Sequence, residues 1–173
     1  ESENEYELLE PWIQWYTIKT GLSAKEHKIF RLGDINNSIN ENIYEKLEKI
    51  GHTVGAISPM NTPNNCKNPK YFIPDPWSMS KSDNTFLSKV TFKMLKQTVN
   101  DNAKNGISLK SSLTILFLII FCASPKNLYN YIKYFIRSIK SKWIKALFLD
   151  LLLNDLHLKL LKKRKPNLSS IFL

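Results

Sequence analysis

Apolar residues recur every three to four positions along several stretches of the chain, which predicts α-helices with one buried face. These stretches are residues 11–20, 39–50, 86–99, 128–139 and 143–164. The first is apolar on most sides, so we expect a short buried helix that begins at Pro11 and ends before Gly21. Asn36, Asn37 and Ser38 are the expected caps of the second helix.

Two short apolar runs, at residues 53–58 and 168–173, have the length and composition of β-strands. Each of them follows a predicted helix, because Gly51 closes the helix at 39–50 and Pro166 stops the helix at 143–164. Helix followed by strand is the order of α/β crossover units, in which the strands run parallel. We therefore expect an α/β fold with both strands in one, mostly parallel sheet.

The connecting segments differ in composition from the helices and strands. Residues 59–76 hold five of the eight prolines, which predicts an irregular loop. Residues 58–61 directly follow the first strand, where ligands of open α/β sheets tend to bind, so this loop either borders a site or is a surface excursion. Residues 1–10 are acidic and predict a loop or the end of an incoming helix, and another loop is expected around 100–106.

The most apolar run of the chain is at residues 113–123. Its 11 residues are fewer than the ~20 that a membrane-spanning helix needs. Two interpretations stay open, a helix buried in the protein and a membrane-associated hairpin. Burial is the favoured one because Ser124 and Pro125 end the run sharply.

Composition and charge narrow the class of protein. A chain of 173 residues with 43% hydrophobic residues is long and apolar enough for one domain with a core. The net charge of +10 is unevenly distributed, since residues 1–60 carry −4 and the remainder carries +14. The basic part suits phosphate-rich partners. Its lysines are nevertheless spread over predicted solvent faces without a nucleic-acid-binding motif, so we expect no nucleic acid and keep a membrane surface as a candidate partner.

The two cysteines, Cys66 and Cys122, are too few for a disulfide framework and lack the spacing of metal ligands. We expect both to be reduced thiols that are buried or incidental. Neither end of the chain has the pattern of a signal peptide, and a cytoplasmic or membrane-peripheral location is favoured.

An ordered set of short motifs resembles a known superfamily. The motifs of this set are EPWIQW at 10–15, TGLS at 20–23, EHKIF at 26–30, FRLGD at 30–34, SPMN at 58–61 and YFIPDPW at 71–77. TGLS and EHKIF are similar to the segment that follows the nucleophile in the alkaline phosphatase superfamily, and the other motifs resemble a bacterial subgroup of that kind. The type I phosphodiesterase, nucleotide pyrophosphatase and sulfatase-like branch is the most similar. The resemblance covers about the first 80 residues and the last 30.

The resemblance implies a three-layer α/β/α, alkaline-phosphatase-like fold with a mostly parallel sheet, incomplete in this chain. Residues 1–77 would form the α/β part around the site, 78–140 a helical insertion, and 141–173 a long helix with a returning strand. The chain begins without Met and stops in an apolar run, so we expect an internal piece of a larger protein that is inactive alone.

The implied activity is metal-dependent hydrolysis or transfer of phosphate or sulfate esters. The family uses a hydroxyl or modified-cysteine nucleophile at a helix N-terminus and divalent metal, usually zinc, whose ligands would lie mostly outside this chain. The nucleophile would fall at residues 9–11, where no Ser, Thr or Cys is present. The candidate catalytic residues are therefore Glu10, Gln14, Thr17 and Thr20.

Simpler roles compete for several of these side chains. Thr17 and Thr20 could bond back to the preceding helical turn, and Glu10 could only stabilise the helix dipole. His27 is expected to order a loop, His52 to cap a helix and His157 to lie at a core boundary. Two other functions stay open for the whole chain, namely a non-catalytic superfamily relative used for binding and a basic module that binds membranes or anionic polymers.

Overall fold

A computed structural model describes residues 8–101 and 106–173. The helices are α1 (Pro11–Thr20), α2 (Ala24–His27), α3 (Ile43–Lys49), α4 (Phe86–Lys96), α5 (Leu109–Cys122), α6 (Leu128–Ser138) and α7 (Lys142–Arg164), and the strands are β1 (Val54–Ile57), β2 (Tyr71–Ile73) and β3 (Leu168–Ile171). Most of the acidic segment 1–10 and much of the loop expected around 100–106 lie outside the described ranges.

The three strands form one parallel sheet in the order β2-β1-β3. Gly55 in the central strand is aligned with Tyr71 on one side and with Ser169 on the other. The protein is thus a mixed α/β protein with a small parallel sheet. The prediction that the strands at 53–58 and 168–173 share one parallel sheet is confirmed.

Side chains alternate between the two faces of the sheet, as the pleat of a β-strand requires. On one face Val54, Ala56 and Phe72 pack with Tyr44 of α3. On the other face Ile57, Tyr71 and Ile73 join a larger core with α4, α5 and α7, to which these helices contribute Met94, Leu95, Leu118, Leu152 and Leu156. The sheet is therefore covered by helices on both sides.

Helix α1 has the predicted ends, but it is less buried than its composition suggests. Gly21 has φ 76° and its N–H donates to the Thr17 carbonyl, which ends the helix. Ile13 and Tyr16 are buried, whereas Ile18 is 65% exposed. The expectation of burial on most sides was wrong, because only one side of α1 faces the rest of the protein.

Helix α3 begins four residues later than predicted. Asn42 caps it, since its side-chain oxygen accepts the N–H groups of Tyr44 and Glu45. The Ser38 hydroxyl instead bonds the Tyr16 hydroxyl. Ile39, a predicted core position, precedes the helix and is 95% exposed. Tyr44 is the buried residue of this helix because it faces Phe72 across an edge-to-face ring contact.

The helices between β2 and β3 form as predicted, but α4, α5 and α6 bury only part of their predicted apolar positions. Helix α4 buries Thr91, Met94 and Leu95, while Phe86 is exposed. Helix α5 buries Leu118 and Cys122, so the burial expected for residues 113–123 holds on one side only.

The predicted apolar stripe of α6 is mostly exposed, with Tyr131 as its one buried residue. Helix α7 buries Leu152, Leu156 and Leu160, as the stripe at 143–164 predicts. None of the helices in the described part of the chain is long and apolar enough to cross a membrane.

Candidate functional site

The first turns of α1 hold two of the candidate catalytic residues. Glu10 is exposed immediately before Pro11, at the positive end of the helix dipole, and forms no side-chain capping bond. The Gln14 amide donates from Nε2 to the Leu8 carbonyl at 2.5 Å, so it ties the helix to the preceding segment. Glu10 therefore remains accessible, whereas Gln14 already has a structural partner.

The two threonine candidates have different partners. The Thr20 hydroxyl donates to the Tyr16 carbonyl at 2.9 Å and is buried, which is the back-bond to the preceding turn that competes with a catalytic role. The Thr17 hydroxyl lies 2.9 Å from Nε2 of His27. Thr17 thus joins α1 to α2, and Thr20 is turned into the core.

His27 orders the loop after α2, as expected. Its Nδ1 accepts the Ile29 N–H at 2.9 Å, which leaves Nε2 to carry the proton and to donate to Thr17. The ring lies edge-on to Tyr16, and burial lowers the pKa of His27.

His157 is also buried, with Nε2 3.3 Å from the Ser169 hydroxyl, and burial lowers its pKa too. His52 is exposed, and its backbone N–H, rather than its ring, bonds the last turn of α3.

The most concentrated polar chemistry lies elsewhere, where β1 and β2 end. Asp75 follows β2 and is 1% exposed. One carboxylate oxygen accepts the Asn61 N–H, and the other accepts the N–H groups of Trp77 and Ser78, each at 2.9 Å. Burial raises the pKa of Asp75, and these three bonds together with the charge of Lys19 oppose the rise.

Lys19, on the last turn of α1, is the cation coupled to Asp75. Its Nζ lies 5.6 Å from the ring centre of Trp15 and 5.9 Å from that of Tyr44. Burial lowers the pKa of Lys19 to about 8, and Asp75 opposes that change. At pH 7 the ammonium is therefore still mostly charged, but it loses its proton far more easily than a lysine in water.

Asn61 completes this cluster and joins it to α1. The residue is 1% exposed, and its Nδ2 donates to the Trp12 carbonyl at 3.2 Å. Its Oδ1 has no hydrogen-bond partner in the described part of the chain. Asn61 and Ser58 both have positive φ, at 47° and 52°, a strained conformation for residues other than glycine.

We refer to Lys19, Ser58, Asn61 and Asp75 as the carboxyl-edge cluster. The two loops of the cluster follow β1 and β2. Strand β1 is the central strand, with β2 on one side and β3 on the other. Open α/β sheets bind ligands in this position. The sequence drew attention to residues 58–61, included Asp75 only within the motif at 71–77, and did not single out Lys19. A carboxylate directly after a buried strand was the available signal for Asp75, whereas Lys19 resembles any basic residue in the last turn of a helix.

The cluster does not contain the ligand set of a zinc site. Across residues 8–101 and 106–173, no three His, Cys, Asp or Glu side chains are grouped so that they could hold a metal ion. Cys66 and Cys122 are free, as expected, and burial raises the pKa of each to about 12, so both remain thiols at neutral pH. Comparisons with protein-family models, curated proteins and solved structures found no match to the chain.

Proposed function

We propose that this chain supplies the ester-binding edge of an alkaline-phosphatase-like hydrolase or transferase that acts on phosphate or sulfate esters. The observation that carries the proposal is the carboxyl-edge cluster, in which the buried Asp75 carboxylate accepts three backbone N–H groups beyond the ends of two parallel strands and interacts electrostatically with the half-buried Lys19. The parallel sheet with helices on both faces supports the three-layer architecture of that superfamily. Zinc and its ligands would belong to another part of the enzyme.

In this proposal Lys19 neutralises the anionic group of the ester. A half-buried ammonium interacts more strongly with an anion than one in water does, because the surroundings screen it less. Asp75 is a positioning residue. It holds the backbone at Asn61, Trp77 and Ser78 and keeps Lys19 charged.

The candidate residues of α1 enter the proposal with different weight. Glu10 is exposed and could take a proton from the attacking nucleophile or give one to the leaving oxygen of the ester. Gln14 and Thr17 would contribute only if their bonds to Leu8 and His27 are exchanged for bonds to a ligand. Thr20 would have to leave its bond to Tyr16, so it is the weakest of the four.

The test uses the complete gene product with a chromogenic phosphodiester and a chromogenic sulfate ester, with and without added zinc. We expect zinc-dependent turnover of one of them, and a fall in kcat/KM of about 100-fold for Lys19→Met, the size typical of losing one charge-stabilising group. Lys70→Met is the matched control. Lys70 is exposed beside the amino end of β2, whereas the cluster lies at the carboxyl ends of the strands. Equal activity of the two variants would refute the assigned site.

One observation favours a second candidate, a relative that keeps the fold for binding alone. Residues 9–11 contain no hydroxyl or thiol where the resemblance places the nucleophile. This candidate predicts no turnover of either ester, together with phosphate binding by calorimetry that Lys19→Met removes and Lys70→Met preserves. Turnover at a rate that scales with purified enzyme would exclude it.

A further inference from the structure

The helices between β2 and β3 expose a large apolar surface. We define the apolar face by six residues, each more than half exposed: Leu113, Leu116 and Ile120 on α5 with Ile132, Ile136 and Ile139 on and just after α6. Single exposed apolar residues are ordinary, but six of them on two successive helices that line one groove indicate an interaction surface. The question is which kind of partner covers it.

Helix α6 shows most clearly how this face is built. At 100° per residue, Tyr131 and Ser138 lie on the side that packs on α7, where Tyr131 meets the ring of Phe148 edge-on at 5.6 Å. Ile132 and Ile136 lie on the neighbouring arc and face away from the core. Lys133 and Arg137 occupy the arc beyond them and are exposed. The helix thus has a packed side, an apolar side and a basic side.

A groove is lined by residues of α5, α6 and α7, together with Trp77, Thr98, Val99 and Ile107. It encloses about 590 Å³ and is lined mainly by apolar side chains, among them Ile115, Ile119, Phe148 and Leu149. Leu116 and Phe135 also line it, and both are more than half exposed, so the groove opens on the apolar face. A volume of this size accommodates a small apolar ligand or one chain of a lipid.

The charge of the segment that carries the apolar face distinguishes a second copy of the chain from a lipid surface as its partner. Residues 106–149 contain seven Lys or Arg and no Asp or Glu. Of the charged side chains near the face, Lys126, Lys133, Arg137 and Lys140 are exposed, and Asp150 at the groove is the acidic one, half-buried. A second copy of the chain would bring this positive surface against itself, whereas an anionic lipid surface complements it.

We propose that the protein docks peripherally on anionic phospholipid bilayers through the apolar face, with α6 lying in the membrane plane. Helices with an apolar side, a basic side and exposed aromatic residues bind at the boundary between headgroups and acyl chains. Tyr129 and Trp143 are the exposed aromatic residues beside the face. This proposal does not rest on ester chemistry, and its test involves no turnover.

The test is co-sedimentation with vesicles of phosphatidylcholine containing 30% phosphatidylserine, compared with vesicles of phosphatidylcholine alone. We expect binding to the anionic vesicles that falls by at least tenfold from 50 to 500 mM NaCl. Tryptophan fluorescence should shift to the blue and be quenched by brominated lipid, and Trp143→Phe should remove most of that change because Trp143 is the exposed tryptophan beside the face. The double variant Ile132→Ser, Ile136→Ser should lose at least tenfold in affinity, while its far-UV circular dichroism stays unchanged because both residues are exposed.

Two control variants distinguish binding through the apolar face from non-specific hydrophobic binding and from non-specific electrostatic binding. Ile39→Ser with Ile50→Ser removes two isoleucines that are 95% and 71% exposed near α3 and should bind as the wild type does. Lys133→Gln with Arg137→Gln should weaken binding more than Lys162→Gln with Lys163→Gln, an equal change of charge at the far end of α7. Wild-type binding by the α6 variants would overturn the proposal. So would light scattering that shows a dimer abolished by Ile132→Ser, Ile136→Ser without any vesicle binding.

Discussion

The ring of Tyr71 lies against Gly55 in the central strand. A Cβ atom added to Gly55 would lie 2.5 Å from Cζ of the Tyr71 ring. The ring cannot easily move away, because it is buried and its hydroxyl bonds the Ser169 hydroxyl at 2.5 Å. Only glycine therefore allows the tyrosine to cross the central strand and reach β3.

We predict that Gly55→Ala destabilises the protein by about 1–3 kcal/mol, the usual cost of an extra methyl group in a packed core. Urea unfolding of the single variants, and of Gly55→Ala combined with Tyr71→Leu, measures the effect. The smaller side chain leaves room for the added methyl, so the double variant should be more stable than the sum of the single changes implies. Additive losses would show that the ring is not the cause.

The candidate site shows at the residue scale what the sequence could and could not predict. Residues 58–61 were expected at the end of a strand, and the structure places Ser58 and Asn61 there. The coupling of Lys19 to Asp75 joins positions 56 residues apart, so no local pattern contains it. The bond from Thr20 to Tyr16 was foreseeable because it is a local one, of a kind that helical threonines commonly form.

At the scale of the element, one buried carboxylate organises the turn between α5 and α6. Asp155 of α7 accepts hydrogen bonds from the Ser124 N–H and the Asn127 amide at 2.8 Å and from the Tyr131 hydroxyl at 3.1 Å. Burial and the neighbouring carboxylate raise the pKa of Tyr131, so that its hydroxyl stays protonated and donates. The three donors come from the end of α5, the following turn and α6.

We predict that Asp155→Asn costs about 1.5–3 kcal/mol, because the new NH₂ group faces donors and leaves at least one of them unsatisfied. Thermal unfolding followed by circular dichroism measures the loss. Glu10→Gln, the same chemical change at an exposed position, should alter stability by less than about 0.5 kcal/mol. If both variants unfold at the same temperature, Asp155 does not hold the turn.

Periodicity predicted which segments form helices better than it predicted what each helix buries. Helix α7 matches its predicted stripe because the larger core of the protein lies on that side. In α6 the same spacing produces an apolar side that no part of the described chain covers. In α3 the side-chain oxygen of Asn42 caps the first turn, so Ile39 lies before the helix. Spacing defines a face, but only tertiary contacts determine whether that face is buried.

At the scale of the whole molecule, the net charge is distributed unevenly along the chain. Residues 61–173 carry the larger hydrophobic core and also an excess of 14 positive charges, whereas residues 1–60 carry a net −4. The acid-free segment 106–149 lies within the basic part. Its cations have few nearby acidic side chains to offset their repulsion, and folding brings them closer together than they are in the unfolded chain.

This repulsion predicts that moderate salt stabilises the protein. Raising NaCl from 20 to 300 mM shortens the screening length to about 6 Å and so weakens the repulsion between exposed cations. We expect the unfolding temperature to rise by roughly 2–4 °C, equivalent to about 1 kcal/mol in a protein of this size.

Lys133→Glu combined with Lys140→Glu places negative charges among the remaining lysines and should reduce that rise by at least half. Lys162→Glu with Lys163→Glu makes the same change outside the acid-free segment and should reduce it less. An unfolding temperature independent of salt in the wild type would mean that the positive charges of the folded protein repel one another no more than they do in the unfolded chain.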